Sequence, residues 1–92
     1  MNSTNLINKN LSGAEIRRKR FDAQFRLVSI ALFEQPLTRM QLSVITGVRI
    51  QNVCRHIAHL RKLNQVKVVK RGICPVTRES GVEFLSTNPK FW

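Results

Sequence analysis

Residues 42–60 read Leu42-Ser43-Val44-Ile45-Thr46-Gly47-Val48-Arg49-Ile50-Gln51-Asn52-Val53-Cys54-Arg55-His56-Ile57-Ala58-His59-Leu60. In the second half of this stretch Ile50, Val53, Ile57 and Leu60 recur in steps of three and four. That spacing sets one buried stripe on a helix running from about Arg49 to Leu63. Thr46-Gly47-Val48 reads as a tight turn, because glycine accepts backbone angles that other residues resist. Upstream, Thr38 and Gln41 stand in the capping-box relation, in which each side chain satisfies the other's free backbone N–H. They open a short helix through about Ile45, with Leu42 and Ile45 pointing inward.

Working outward, Pro36 ends a preceding helix, since the residue before proline is pushed out of helical geometry. That helix starts cleanly at Leu11-Ser12-Gly13-Ala14-Glu15-Ile16, where Ser12 and Glu15 form a second capping box and Leu11 and Ile16 occupy the staple positions. Phe21, Phe25, Val28 and Leu32 fall on one face, which Leu27 and Ala31 widen. One long helix, or two broken near Arg20, both fit. Beyond Asn64 the period drops to two, and Val66-Lys67-Val68-Val69-Lys70 reads as a strand. Arg71 to Gly81 holds Gly72, Pro75 and Gly81 and is a loop. Val82 to Ser86 is the returning strand, with Phe84 expected as its core anchor. The fold class expected is α+β, mainly helical: three helices and a C-terminal β-hairpin. Residues 1–11 are expected to be a flexible tail, 12–88 the domain and 89–92 a C-terminal tail.

The stretch Leu42 to Val48, followed by Val53-Cys54-Arg55-His56-Ile57-Ala58-His59-Leu60, resembles the core of winged helix-turn-helix regulators. Those families commonly read Leu-x-x-x-(Thr/Leu)-Gly-(Val/Ile), then Val-Ser-Arg-His-(Leu/Ile)-x-x-Leu. The resemblance covers roughly residues 25–86. Arg49 stands where Ser or Thr often caps the third helix, and Cys54 replaces the frequent Ser. The resemblance implies a three-helix winged helix-turn-helix domain with its third helix in the major groove. It also implies a hairpin wing lying along the DNA backbone or minor groove.

Charge points the same way independently. The 92 residues carry 16 Lys+Arg against 5 Asp+Glu, a formal net charge of +11. So large a charge repels itself, and a polyanion relieves the repulsion. No acidic residue occurs from Arg39 through Arg78. If Ile50, Val53, Ile57 and Leu60 face the core, then Arg49, Gln51, Asn52, Arg55, His56 and His59 lie on or beside the outer face. Gln and Asn can pair bidentately with adenine, and Arg with guanine. Lys67, Lys70, Arg71 and Arg78 lie on or near the hairpin and can neutralise phosphates. The run Arg17-Arg18-Lys19-Arg20, together with Thr38 and Arg39, supplies further candidates for backbone contact.

Other chemistries find less support. His56 and His59 are close enough on one helix to chelate, but Cys54 points elsewhere and no Cys-x-x-Cys clamp accompanies them. No metal and no cofactor are expected. Asp22 is the only Asp, no nucleophile stands with a base and an orienting acid, and no enzyme or small-molecule substrate is expected. The longest uncharged apolar stretch, Leu27 to Phe33, falls far short of the roughly 20 residues that span a bilayer. The first ten residues show no signal-peptide pattern, and two cysteines do not make a disulfide framework. A cytoplasmic protein of a bacterium or phage is expected, with double-stranded DNA as partner. The alternative is a winged-helix module that binds protein or RNA without reading DNA sequence. Phe91 and Trp92 at one end, and Leu6, Ile7 and Leu11 at the other, serve either a homodimer contact or the monomer's own core.

Overall fold

The computed structural model describes residues 12–92. It is a small α+β arrangement of three helices followed by a two-stranded antiparallel hairpin. The elements are α1 (Gly13–Glu34), α2 (Arg39–Thr46), α3 (Ile50–Lys62), β1 (Lys67–Gly72), β2 (Val82–Ser86) and a single 3₁₀ turn, Pro89–Phe91. No described helix is long and apolar enough to cross a membrane.

Both capping boxes form. At α1 the Glu15 N–H donates to Ser12 Oγ at 3.1 Å, and the Ser12 N–H donates to Glu15 Oε1 at 3.1 Å. At α2 the Gln41 N–H donates to Thr38 Oγ1 at 3.1 Å, and the Thr38 N–H to Gln41 Oε1 at 2.9 Å. α1 is one unbroken helix through Arg20. It stops at Gln35, whose extended backbone precedes Pro36. The expected staple contact of Leu11 lies outside the described residues, as do Leu6 and Ile7.

The turn between α2 and α3 is fixed by three bonds. Gly47 takes the left-handed conformation, φ 74°, and its N–H donates to the Ser43 carbonyl. Ser43 Oγ donates to the Val48 carbonyl at 2.7 Å, and the Val48 N–H donates to Thr46 Oγ1 at 3.2 Å. α3 then begins at Arg49 without any side-chain cap.

The core is Val28, Leu32, Leu37, Leu42, Val48, Val53, Ile57, Leu60, Val66 and Leu85, with Phe25, Ala31, Ile50 and Val68 packed against it. Three apolar residues depart from expectation. Ile45 is 57% exposed, because the buried side of α2 runs between Leu42 and the half-buried Arg39, Ser43 and Thr46. Leu27 is also exposed, and with Ile30 and Phe33 it lines the side of α1 turned away from the core. Phe84 is buried, but Leu85 is the β2 residue that joins the core cluster.

The hairpin register explains that last exchange. Val68 pairs with Leu85, Lys70 with Phe84 and Arg71 with Glu83, with an irregularity between Val68 and Lys70. The extra residue there, Val69, is a β-bulge, which shifts every later side chain by one face. Val68 and Leu85 therefore share the core side, and Lys70 and Phe84 the opposite one. β2 is also paired on its other edge: Leu37 and Leu85 exchange both backbone hydrogen bonds, at 3.0 and 2.9 Å. The strand order is Leu37, β2, β1, so the hairpin is anchored to the segment that joins α1 to α2.

A helix leaves its last four carbonyls without partners of its own. In α1 the last residue of β2 and those after it supply some of these partners. Ser86 Oγ and the Thr87 N–H donate to the Leu32 carbonyl at 2.9 and 3.3 Å, and Asn88 Nδ2 donates to the Phe33 carbonyl at 3.2 Å. Residues 89–92, expected as a tail, fold back through the 3₁₀ turn. Trp92 Nε1–H donates to the Ser86 carbonyl at 3.0 Å.

Candidate nucleic-acid interface

α3 presents its side chains in three bands. Val53, Ile57 and Leu60 are buried inward. Gln51, Arg55, Ala58 and Lys62 are exposed, and their steps of three and four form one outward stripe. Half-buried Asn52 and exposed His59 lie on the flank nearer α1, while exposed Cys54 and Arg61 lie on the flank nearer the hairpin. Lys62 belongs to the outward stripe but was missed by the sequence reading. Extending the period of Gln51 and Arg55 by two turns, through Ala58, would have found it.

His56 does not lie on the outer face. It is 1% exposed and belongs to the buried band. The cause is the length of α1, whose first half runs along this flank of α3. The Phe21 ring lies 4.4 Å from the imidazole, centroid to centroid, and the Phe25 ring 5.9 Å. His56 Nε2–H donates to Gln24 Oε1 at 3.2 Å, while Nδ1 is buried with no hydrogen-bond partner among the described residues. Burial, then the charges of Arg55 and His59, hold the imidazole below its ordinary pKa, so it is neutral near pH 7. His59 remains exposed, edge-on to Phe25 at 5.2 Å.

Thr38, read as a backbone contact, is fully buried. Its hydroxyl is used by the α2 cap and by a 3.0 Å hydrogen bond shared with Cys74 Sγ. Burial pushes the Cys74 thiol up. Hydrogen bonds from Thr38, from the backbone and hydroxyl of Thr77 and from the Val76 backbone outweigh it and leave the thiol at about 7.

Two more candidates are engaged within the fold. Glu83 on β2 receives Arg39 of α2 at 3.0 Å, Arg71 of β1 at 3.1 Å and Arg61 of α3 at 3.6 Å. Its carboxyl is held below the usual range, first by the Arg39 hydrogen bond and against the effect of burial, then by the three guanidinium charges. β1 runs past Arg71 to Gly72, where the sequence pattern placed a loop, and its register sets Arg71 opposite Glu83. Lys67 Nζ lies 5.0 Å over the Trp92 ring and Lys70 Nζ 4.7 Å over Phe84, so both ammoniums are steered along the hairpin surface. Arg78 is exposed in the loop at φ 65°. Arg49 is exposed at the start of α3.

Arg17, Arg18, Lys19 and Arg20 are all exposed on the first turns of α1. Arg17 and Arg20 share a cleft of ≈ 300 Å³ with Phe21, Gln24, Asn52, Arg55 and His56. The α1–α3 junction thus gathers three guanidiniums and two carboxamides around one opening. No group of three His, Cys, Asp or Glu suited to a metal ion occurs among the described residues. Compared with protein-family models, with curated proteins and with solved structures, the chain gives no match.

Proposed function

We propose that this chain is a winged helix-turn-helix protein that binds double-stranded DNA in a sequence-specific way, as a small transcriptional regulator does. α3 enters the major groove, and the β1–β2 hairpin acts as a wing on the sugar-phosphate backbone. One observation carries this reading: the outer side of α3 offers Gln51, Arg55 and Lys62, flanked by Asn52 and His59, with no carboxylate on it. Amides and guanidiniums on a rigid helix are the groups that match base edges, and an α-helix fits the major groove. The Leu37, β2, β1 strand order fastens the hairpin beside the helices, which suits a wing rather than a loose loop.

A protein- or RNA-binding module is the competing reading. It draws on exposed Leu27, Ile30 and Phe33, which lie on α1 away from the core and off the α3 surface. The outward stripe of α3 itself carries no large apolar residue, and this favours DNA.

The test is selection from random duplexes with the purified protein, followed by titration of the selected duplex over a range of salt. With about 6 to 10 phosphates engaged, affinity is expected to fall by roughly 10³ to 10⁵ between about 50 and 200 mM salt. Failure to enrich any sequence, or an affinity indifferent to salt, refutes the proposal.

A further inference from the structure

Resting on the DNA reading above, we propose that the cleft between α1 and α3 is a phosphate site that clamps one phosphodiester of the strand bordering the groove α3 enters. Arg17 and Arg20 come from α1, and Arg55 and Asn52 from α3. Among the described residues these arginines form no salt bridge to a carboxylate, whereas Arg39, Arg61 and Arg71 all do. Guanidiniums lining one cleft without an acid repel one another, and a phosphate set between them adds a charge-assisted attraction to each that offsets the repulsion. The planar fork of arginine matches two phosphate oxygens at once.

Gln24 completes the site. It lines the cleft, and its Oε1 accepts from His56 Nε2–H, which holds the carboxamide in place there. His56, buried beneath Phe21, sets the floor and fixes that orientation. The opening of ≈ 300 Å³ admits a phosphate group with its water. Its position identifies the source of the phosphate. Asn52 and Arg55 stand in the first half of α3, the part of a recognition helix that meets base edges. A phosphate in the cleft is therefore next to the bases that Gln51 reaches, on the groove wall facing α1. The first half of α1 then has a use beyond covering His56: it extends the grip of α3 on one strand.

The experiment combines two double variants with chemically neutralised DNA. Arg17→Ala/Arg20→Ala removes cleft charges, and Arg18→Ala/Lys19→Ala removes the same charge beside the cleft. All four positions are exposed on a helix, where alanine is well tolerated. Each protein is titrated against the selected duplex and against copies bearing a single methylphosphonate at successive positions. The unaltered protein should lose about eightfold at 0.1 M salt at one or two positions flanking the α3 contacts. That factor corresponds to one phosphate's counterion release, relative to 1 M salt. The Arg17→Ala/Arg20→Ala protein should be weaker on every duplex and indifferent to methylphosphonate at those positions. The Arg18→Ala/Lys19→Ala protein should keep that sensitivity. If both double variants respond to every methylphosphonate as the unaltered protein does, the cleft is not a phosphate site, although the DNA reading stands. If the unaltered protein binds no duplex, the DNA reading fails and the cleft proposal fails with it.

Discussion

Replacing Glu83 by alanine tests how the helices and the hairpin are held together. Three arginines from α2, α3 and β1 meet on this one carboxylate, at 3.0, 3.6 and 3.1 Å. Hydrogen bonds to a charged group contribute about 1.5–3 kcal/mol each in protected positions. These pairs are not fully protected: the arginine side chains are 31%, 49% and 63% exposed, and the Glu83 side chain 23%. Exposed ion pairs are worth about 0.2–1 kcal/mol each. Taking the Arg39 bond near the lower end of the protected range, and the other two as exposed pairs, gives about 2 kcal/mol for Glu83→Ala. For a domain of this size that lowers Tm by roughly 8–16 °C. The pH dependence has a definite sign. The Glu83 carboxyl is depressed in the folded state, so its stabilising effect is complete above the unfolded carboxylate range and lost as pH falls through the depressed value. The gap in Tm between the two proteins should be constant from pH 5 to 7 and narrow as pH falls through the depressed value. DNA affinity should move the other way. Alanine releases three guanidiniums and adds one unit of net positive charge, so binding to random duplex should tighten when measured below both melting temperatures. Scanning calorimetry and a fluorescence titration read the two effects. A Tm within about a degree of the unaltered protein, or a gap that does not narrow on acidification, would refute the clamp.

Two further outcomes are expected. His56 is depressed below its ordinary pKa, so the unfolded chain takes up a proton first as pH falls; stability should drop between about pH 6.5 and the depressed value. Urea unfolding should show this fall, and His56→Leu should flatten that part of the curve; an unaltered slope would remove burial as its cause. Gly47→Ala should cost about 1 kcal/mol through its φ of 74° alone, since an added Cβ would meet nothing within 4 Å. A cost above about 3 kcal/mol in chemical denaturation would mean that something besides backbone strain is lost.

What the sequence revealed depended on the distance over which each feature is decided. Both capping boxes join residues three apart, so they are legible from neighbours alone. The same is true of the Gly47 turn and of the stripe Val53, Ile57 and Leu60. His56 was misread because its burial depends on where α1 crosses α3. Phe21 and Gln24, more than 30 positions away, decide it. The Leu37–Leu85 bridge is a single residue pair and leaves no period to detect. The bulge at Val69 sits within a run of valines, where alternation gives no hint of a shifted face. Thr38 carried two readings, cap and surface contact, and the structure shows it buried in the first.

The distribution of acids gives the proposed binding surface a direction that a count of cations does not. On the hairpin side, Glu83 occupies Arg39, Arg61 and Arg71 and holds them close to the protein. Guanidiniums have five donors, so these three can still meet a phosphate, but part of their field is already cancelled locally. On the α1 side, Arg17, Arg20 and Arg55 gather around the cleft without a carboxylate partner among the described residues. Among the described residues, the arginines on the α1 flank of α3 are thus unpaired with carboxylates, while those on the hairpin flank are paired. Under the DNA proposal, counterion release should follow that asymmetry. Loss of cleft arginines should lower the salt slope more than loss of Arg71, although Arg71 stands on the wing and the cleft does not. The hairpin would then chiefly orient the domain on the duplex, and the first half of α1 would supply most of the electrostatic grip.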